Sequence, residues 1–344
     1  TYEHVKVQNN DDFDPSDAPV SRGGDAECPH CGVVTESDEV QEKIKNGEFE
    51  YSVYGVNYED GQGEWKFRAG SETDMRGMKK AAERVETDFD MMDFLSDPIP
   101  NGQETERLPR HGMHEWRDIF TPRQLVVHYE YLQAFRKYEP KIREQYDSEK
   151  ADAILTLLSL ASSRALVFST RLSQWMDLRG YGSRVFTDNN FAPKKMFVDN
   201  NLSATRRGYL QRIEQVIDSY EDLASYTTNC DPAEVAQMDA ADLSKKWERG
   251  SVDVAVIDPP YYSSIMYSEL SDIFYVLQKE YLKDIYPSLF NSKLTNKEDE
   301  AVANPSRFDE VAGSSQSRVE LAKEDYENKM TEIFDEVNNL LSDS

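Results

Sequence analysis

Asp258-Pro259-Pro260-Tyr261 sets an acid, two backbone locks and a flat ring side by side, with a second ring at Tyr262. Proline fixes φ and has no N–H, so such a loop is rigid before any ligand arrives. The Asp258 carboxylate and a neighbouring carbonyl are then acceptors for the two hydrogens of an amino group, and Tyr261 offers a face to the ring carrying it. An exocyclic amine is a poor nucleophile because its lone pair is delocalised into its ring. Hydrogen bonds that favour a tetrahedral nitrogen, with a methyl donor aligned for attack, are the physical remedy. A base must leave its stack to reach this loop, which gives the aromatic neighbour a purpose. The bland alternative is an ordinary Pro-Pro turn.

The elements that must hold this loop are legible on both sides. Val252 to Ile257 is a β-branched apolar run that predicts a buried strand ending at Asp258, and Glu234 to Met238 predicts another ending at Asp239-Ala240. In an open α/β sheet both acids would reach one crevice outside the carboxyl ends of parallel strands. Tyr267, Leu270, Phe274, Leu277 and Tyr281 then share a helical face that should pack on the sheet. Thr295-Asn296-Lys297-Glu298 has the form of a capping box opening a short helix, and Val302 to Gln316 reads as loop near the substrate side. At the end, Tyr326, Met330, Ile333, Val337 and Leu340 predict an amphipathic helix.

Upstream, Thr121 is the expected N-cap and Pro122 the first residue of a helix carrying Leu125, Tyr129, Leu132 and Phe135, with His128 as a core or rim histidine. Further helices are predicted over Ser148 to Thr170, buried on several sides, and Gly208 to Tyr226. Between them, Arg171 to Asn201 interleaves aromatics with Arg171, Arg179, Arg184, Lys194 and Lys195. That pattern fits a nucleic-acid track or an irregular segment packed over a core, and the core reading is preferred.

Near the start, Cys28-Pro29-His30-Cys31-Gly32 is the kind of turn that presents two thiolates to a tetrahedral zinc ion. It is half a site: no second pair follows, and Cys230 is far away. Residues 51 to 69 predict a β-hairpin turning at Glu59 to Gly63, and Ser71 to Arg84 a helix. The expected organisation is a zinc-knuckle and hairpin subdomain over 1–87, a linker over 88–119, a helical region over 120–225 and a sheet segment over 226–344.

Composition narrows the setting. With 65 Asp and Glu against 39 Lys and Arg, the 344-residue chain carries a formal charge of −26. The acids are dispersed, as expected of a surface adapted to high salt, so a halophilic source is suspected. Such a balance argues against simple electrostatic nucleic-acid binding, although local basic patches remain available. The longest apolar run, around Ile154 to Phe168, falls short of a membrane span. Three cysteines are too few for a disulfide framework, so a reducing cytoplasm is the expected location.

Taken in order, the Cys28/Cys31 knuckle, Phe120-Thr121-Pro122-Arg123-Gln124-Leu125, Arg171-Leu172-Ser173-Gln174-Trp175, Ile257 to Tyr262, Ser271 to Val276, Leu294-Thr295 and Asn304-Pro305 resemble the adenine-specific DNA methylases with an embedded zinc ribbon. The resemblance covers nearly the whole chain from about Ser21. It implies a partial Rossmann-like class I methyltransferase sheet with helical insertions, S-adenosylmethionine as cofactor, and Asp258 to Tyr261 as the amino-methylating loop, with Tyr262 at the substrate. By analogy Asp239, with Ala240, contacts the adenine of the cofactor, and Cys28 and Cys31 hold zinc. The implied partner is DNA, with RNA as an alternative and no membrane. Two departures stand out. The earlier cysteine pair is absent, and none of the glycine pairs Gly23-Gly24, Gly61/Gly63 and Gly180/Gly182 follows a strand and opens a helix, as a cofactor loop requires. A fragment is therefore expected, needing a complementary methyltransferase segment or defence-system subunits as partners. The competing expectation is a non-catalytic nucleic-acid-binding or complex-forming subunit.

Overall fold

The computed structural model describes residues 24–28, 31–176, 180–183, 185–187, 189–194, 196–204, 206–228, 230–309 and 317–342. The acidic stretch Thr1 to Val20, Gly23, Pro29 and His30 of the cysteine turn, Arg179, Arg184, Lys195 and residues 310–316 lie outside the described residues. The chain divides into two units, Thr1–Ile99 with Arg107–Glu130, and Pro100–Glu106 with Tyr131–Ser344.

In the first unit, β1 (Ala26–Glu27) and β2 (Val34–Thr35) form a minimal antiparallel pair around the cysteine turn, followed by α1 (Ser37–Lys45). β3 (Gly55–Glu59) and β4 (Trp65–Ala69) make the expected hairpin. Asp60 organises its turn by accepting from the N–H groups of Gln62 and Glu64 at 2.8 and 3.0 Å. α2 (Glu72–Thr87) opens on a capping box between Ser71 and Asp74. The bidentate Arg68 guanidinium, then the Ser71 hydroxyl, hold the Asp74 carboxyl well below the usual carboxylate range.

Residues 88–119, expected as a linker, are packed instead. α3 (Phe89–Asp93) and short 3-10 turns fold Met91, Phe94, Leu95, Leu108, Met113, Ile119 and a fully buried Trp116 (0% exposed) into a core. Their acids and prolines suggested a loop, but the prolines fall at turns and a bridge, where missing N–H groups cost little. Thr121 and Gln124 cap the next helix reciprocally, each side chain accepting from the other's N–H, at 3.1 and 2.8 Å. That helix, α4 (Pro122–Gln145), starts where Pro122 predicted. His128 is a core residue, its ring edge-on to Phe120 at 4.9 Å.

The second unit is helical. α5 (Ser148–Leu166) buries Leu155 with Ala151, Ser159, Ala161, Ser162 and Ala165, and its small residues let α6 (Tyr209–Thr227) and α7 (Tyr267–Leu282) pack against it. The Gln278 amide on α7 reaches across to Ser159 O at 2.9 Å and Ser163 Oγ at 2.7 Å. Tyr131 stacks on Tyr209 at 4.0 Å, and Phe135 meets Tyr281 edge-on at 5.1 Å. In the aromatic segment, β5 (Gln174–Met176) pairs with β6 (Tyr181–Ser183) and β7 (Phe186–Thr187) with β8 (Asn190–Phe191). Phe191 and Leu172 are buried there, as the core reading requires. The last helix, α8 (Arg318–Leu340), opens on a capping box between Ser317 and Glu320 and packs against a 3-10 turn at Ala240–Lys245.

The fold is thus a mix of helices with small sheets, and the sheet expected over 226–344 is not among its described elements. Every described sheet is a two-stranded antiparallel pair. Residues 253–258 form no strand, with Val254 and Val256 at 74% and 94% exposure, and Glu234 to Met238 likewise forms none. Among the described residues the only pairing at this run is a parallel bridge from Val252 to Leu341, at the end of α8. A strand buried on both faces requires neighbours on both edges. Among the described residues no other chain segment supplies them. No helix of the described residues is long and apolar enough to cross a membrane.

Candidate active site

Asp258 is exposed at the end of this unpaired run, and Pro259 and Pro260 after it are half-buried. The loop then tightens: Tyr262 N–H donates to Pro260 O at 3.0 Å, and Ser264 N–H to Tyr261 O at 2.9 Å. Tyr261 presents its ring to solvent. Tyr262 sits at φ +46°, a left-handed conformation that costs a side-chain-bearing residue about 1–2 kcal/mol. Two contacts hold it there. Its carbonyl accepts from Ala303 N–H at 3.1 Å, and its ring meets Tyr326 of α8 edge-on at 5.1 Å. Strained backbone persists only where its surroundings over-determine it, and such places cluster at functional sites.

The first turns of α7 anchor the segments around this loop, and they do so with buried acids. Glu269, 1% exposed, accepts from the N–H groups of Gln103, Glu104 and Thr105 at 3.1, 2.7 and 3.3 Å and from the Asn304 amide at 2.7 Å. Asp272 accepts from Thr295 N–H at 3.0 Å and has the Lys297 ammonium 2.8 Å away. Ser268 N–H donates to Glu300 at 2.9 Å. Three loops, 102–105, 295–300 and 300–304, are therefore fastened to one helix end, where the dipole favours negative charge. Gly102 is required by this closeness, since a Cβ there would lie 2.6 Å from Glu269 Oε2.

Thr295 to Glu298 does not start a helix. The Thr295 hydroxyl, which would have capped it, lies 2.6 Å from Asp272, and Asn296 Oδ1 accepts from Glu298 N–H at 2.9 Å in a local turn. Asn304 caps the following 3-10 turn, Pro305–Phe308. Sequence reasoning missed Glu269 altogether. Its signal was only an acid among the apolar positions of α7, three residues into the helix.

Asp239 and Ala240 are not brought to Asp258 by any hydrogen bond among the described residues. Asp239 caps the 3-10 turn that begins at Ala240, accepting from Ala241 N–H at 2.9 Å. Of the glycine pairs singled out as possible cofactor loops, Gly61 and Gly63 turn a hairpin, and Gly180 and Gly182 lie at the start of β6, so neither opens a helix. Of the residues expected to hold the cofactor, Asp239 and Ala240 form only a local turn. Cys28 is half-buried and Cys31 exposed. Gly32, at φ +71°, donates its N–H to Cys28 O at 2.8 Å. No group of three or more metal-ligating side chains forms among the described residues, so these two thiols do not complete a zinc site there.

No protein-family model matches the chain, and no curated protein or solved structure is significantly similar to it.

Proposed function

We propose that this chain carries the target-base loop of an S-adenosylmethionine-dependent methyltransferase acting on an exocyclic amino group of DNA, with adenine N6 as the target. The observation that supports this most is the convergence on α7. Tyr262, Asp272, Thr295 and Asn304 lie in four successive motif segments between Ile257 and Pro305, and the contacts of α7 and Ala303 tie them into one assembly. In this reading Asp258 accepts an amine hydrogen and draws the nitrogen toward a tetrahedral shape. Pro259 and Pro260 keep the acceptors in place, Tyr261 stacks on the extruded base, and Tyr262 holds the loop's strained exit. S-adenosylmethionine would supply the methyl group, from a seat built largely outside the described residues.

The second reading, a complex-forming or nucleic-acid-binding subunit without its own cofactor site, is favoured by the unpaired backbone at 253–258. Calorimetry separates the two: micromolar S-adenosylmethionine binding by the chain alone speaks against a split site. Catalysis itself is tested by transfer of a labelled methyl group to DNA in concentrated potassium chloride, with the complementary methyltransferase segment added. Asp258→Ala should reduce transfer by about a hundredfold or more. Equal transfer by the variant would overturn the assignment.

A further inference from the structure

Helix α6 is longer than the surface that supports it. Its amino-terminal half packs on α5, with Tyr209 and Arg212 buried and Ile213 and Val216 half-buried. The same stripe runs on at Tyr220 and Leu223, four and seven residues beyond Val216. There it has no cover. From Ile217 to Thr228 every residue is exposed. Ile217, Tyr220, Leu223 and Tyr226 stand at 50%, 57%, 64% and 80% exposure, although all four lie on the apolar half of the helix.

Nothing within this half of the helix accounts for its forming. A helix holds mainly by packing an amphipathic face, and a short piece alone in water is marginal. Gly208 gives α6 no side-chain cap at its start, and its last turn has no basic residue to meet the dipole. Glu214, Asp218 and Asp222 follow one another at four-residue spacing, where like charges repel. Among the described residues neither these three nor Glu221 forms an ion pair. The stripe therefore calls for packing that the rest of the described chain does not supply.

The charge around the stripe says what that cover is. No lysine or arginine occurs from Ile213 to Ser244. At the angular spacing of a helix, Glu221 and Asp222 border the apolar half on its two sides, with Glu214 and Asp218 between them. Such an edge repels a nucleic-acid backbone and an anionic membrane surface alike. It repels a second copy as well, since an isologous pair would set the same acids face to face on two chains of charge −26. What fits is an apolar groove with a cationic rim, the mode in which a partner holds an amphipathic helix.

We propose that the carboxyl-terminal half of α6 docks into an apolar groove, rimmed by lysine and arginine, on a partner polypeptide. Tyr220 and Leu223 are its anchors, flanked by Ile217 and Tyr226. The proposal is independent of the methyl-transfer reading, because no residue of the 258–262 loop enters it.

The test is fluorescence anisotropy of the 344-residue chain with a fluorescein-labelled amphipathic peptide of leucine and lysine alone, which presents an apolar stripe between rows of ammonium groups. Leu223→Glu alters an exposed side chain and should weaken binding roughly tenfold or more, although the added acid would strengthen a merely electrostatic attraction to the peptide. Val319→Glu, at a comparably exposed site (58%) on α8, should leave binding unchanged. Asp222→Asn should weaken binding more than Glu332→Gln, which neutralises an exposed acid on α8. In the complex, hydrogen exchange at the amides of residues 217–228 should slow. Unchanged or tighter binding by Leu223→Glu would overturn the proposal, as would equal effects of Asp222→Asn and Glu332→Gln. So would amides of 217–228 already protected in the free monomer, since the helix would then need no cover. Dimers in sedimentation that Leu223→Glu dissolves would overturn it too, because a second copy would then be the occupant.

Discussion

Replacing Glu269 by glutamine is the sharpest perturbation of the anchor beneath the candidate site. The carboxylate is a buried acceptor for four N–H donors: Oε1 takes Gln103 and Asn304, and Oε2 takes Glu104 and Thr105. A glutamine has one acceptor oxygen, so whichever way its amide turns, two donors face an NH2 group. Hydrogen bonds to a charged acceptor contribute about 1.5–3 kcal/mol each, and buried donors left unmade cost a similar amount. Two lost bonds and two weakened ones come to about 3–5 kcal/mol, a large part of the roughly 5–15 kcal/mol that holds an ordinary domain. Urea unfolding at fixed potassium chloride measures this directly. A double-mutant cycle with Asn304→Ala should return a coupling of about 1.5–3 kcal/mol. Loss of under about 1 kcal/mol in Glu269→Gln, or a coupling near zero, would refute the claim that one carboxylate holds both the 102–105 and 303–304 loops.

Two other outcomes follow from the same geometry. Glycine accepts φ +46° without strain, so Tyr262→Gly should be more stable than Tyr262→Ala by about 1 kcal/mol in urea; equal stabilities would mean that the backbone is not strained. Burial pushes Tyr131, Tyr209 and Tyr281 above the ordinary phenol value, with Tyr281 and Tyr131 adding to it at Tyr209 and Tyr131 adding to it at Tyr281. A raised native value means that this stability is fully present below about pH 10, where unfolded tyrosine titrates, and is lost as pH climbs toward the native values. Alkaline unfolding should therefore coincide with a late, cooperative rise in tyrosinate absorbance, and early titration of all tyrosines would contradict it.

Local signals carried most of what the sequence revealed. Thr121-Pro122 marks the start of α4 because a cap and a missing N–H act within one turn, and the 51–69 hairpin is set by the Asp60 turn. Helices α5 and α7 follow from apolar stripes that bury on their neighbours, whereas α6 forms with Leu210, Ile217 and Tyr220 of its stripe exposed. Where partners are remote, the reading failed. Residues 88–119 look polar, yet Met91, Phe94, Leu95, Leu108, Met113 and Ile119 are buried with Trp116, and only Phe89 and Met92 of the large apolar side chains described there stay exposed. Val252 to Ile257 has strand composition, but pairing is a property of neighbours, and only Val252 has one. At the site, Asp258 to Tyr262 was visible as a motif, whereas Glu269 acts mainly through donors more than 160 residues away, so the acid on the apolar face of α7 could not be assigned its role locally.

The exposed run from Asp253 to Ile257 also bears on how this chain behaves in company. A solvent-facing apolar segment with free backbone groups is a template onto which copies can stack. Here it is bracketed. Asp253 and Asp258 place like charges at both ends of any in-register stack, and Pro259 and Pro260 cannot donate to a growing ladder. The residues assigned to recognising an amine therefore also act as gatekeepers against fibril growth, a duty that would keep them in place even in a copy that had lost all chemistry.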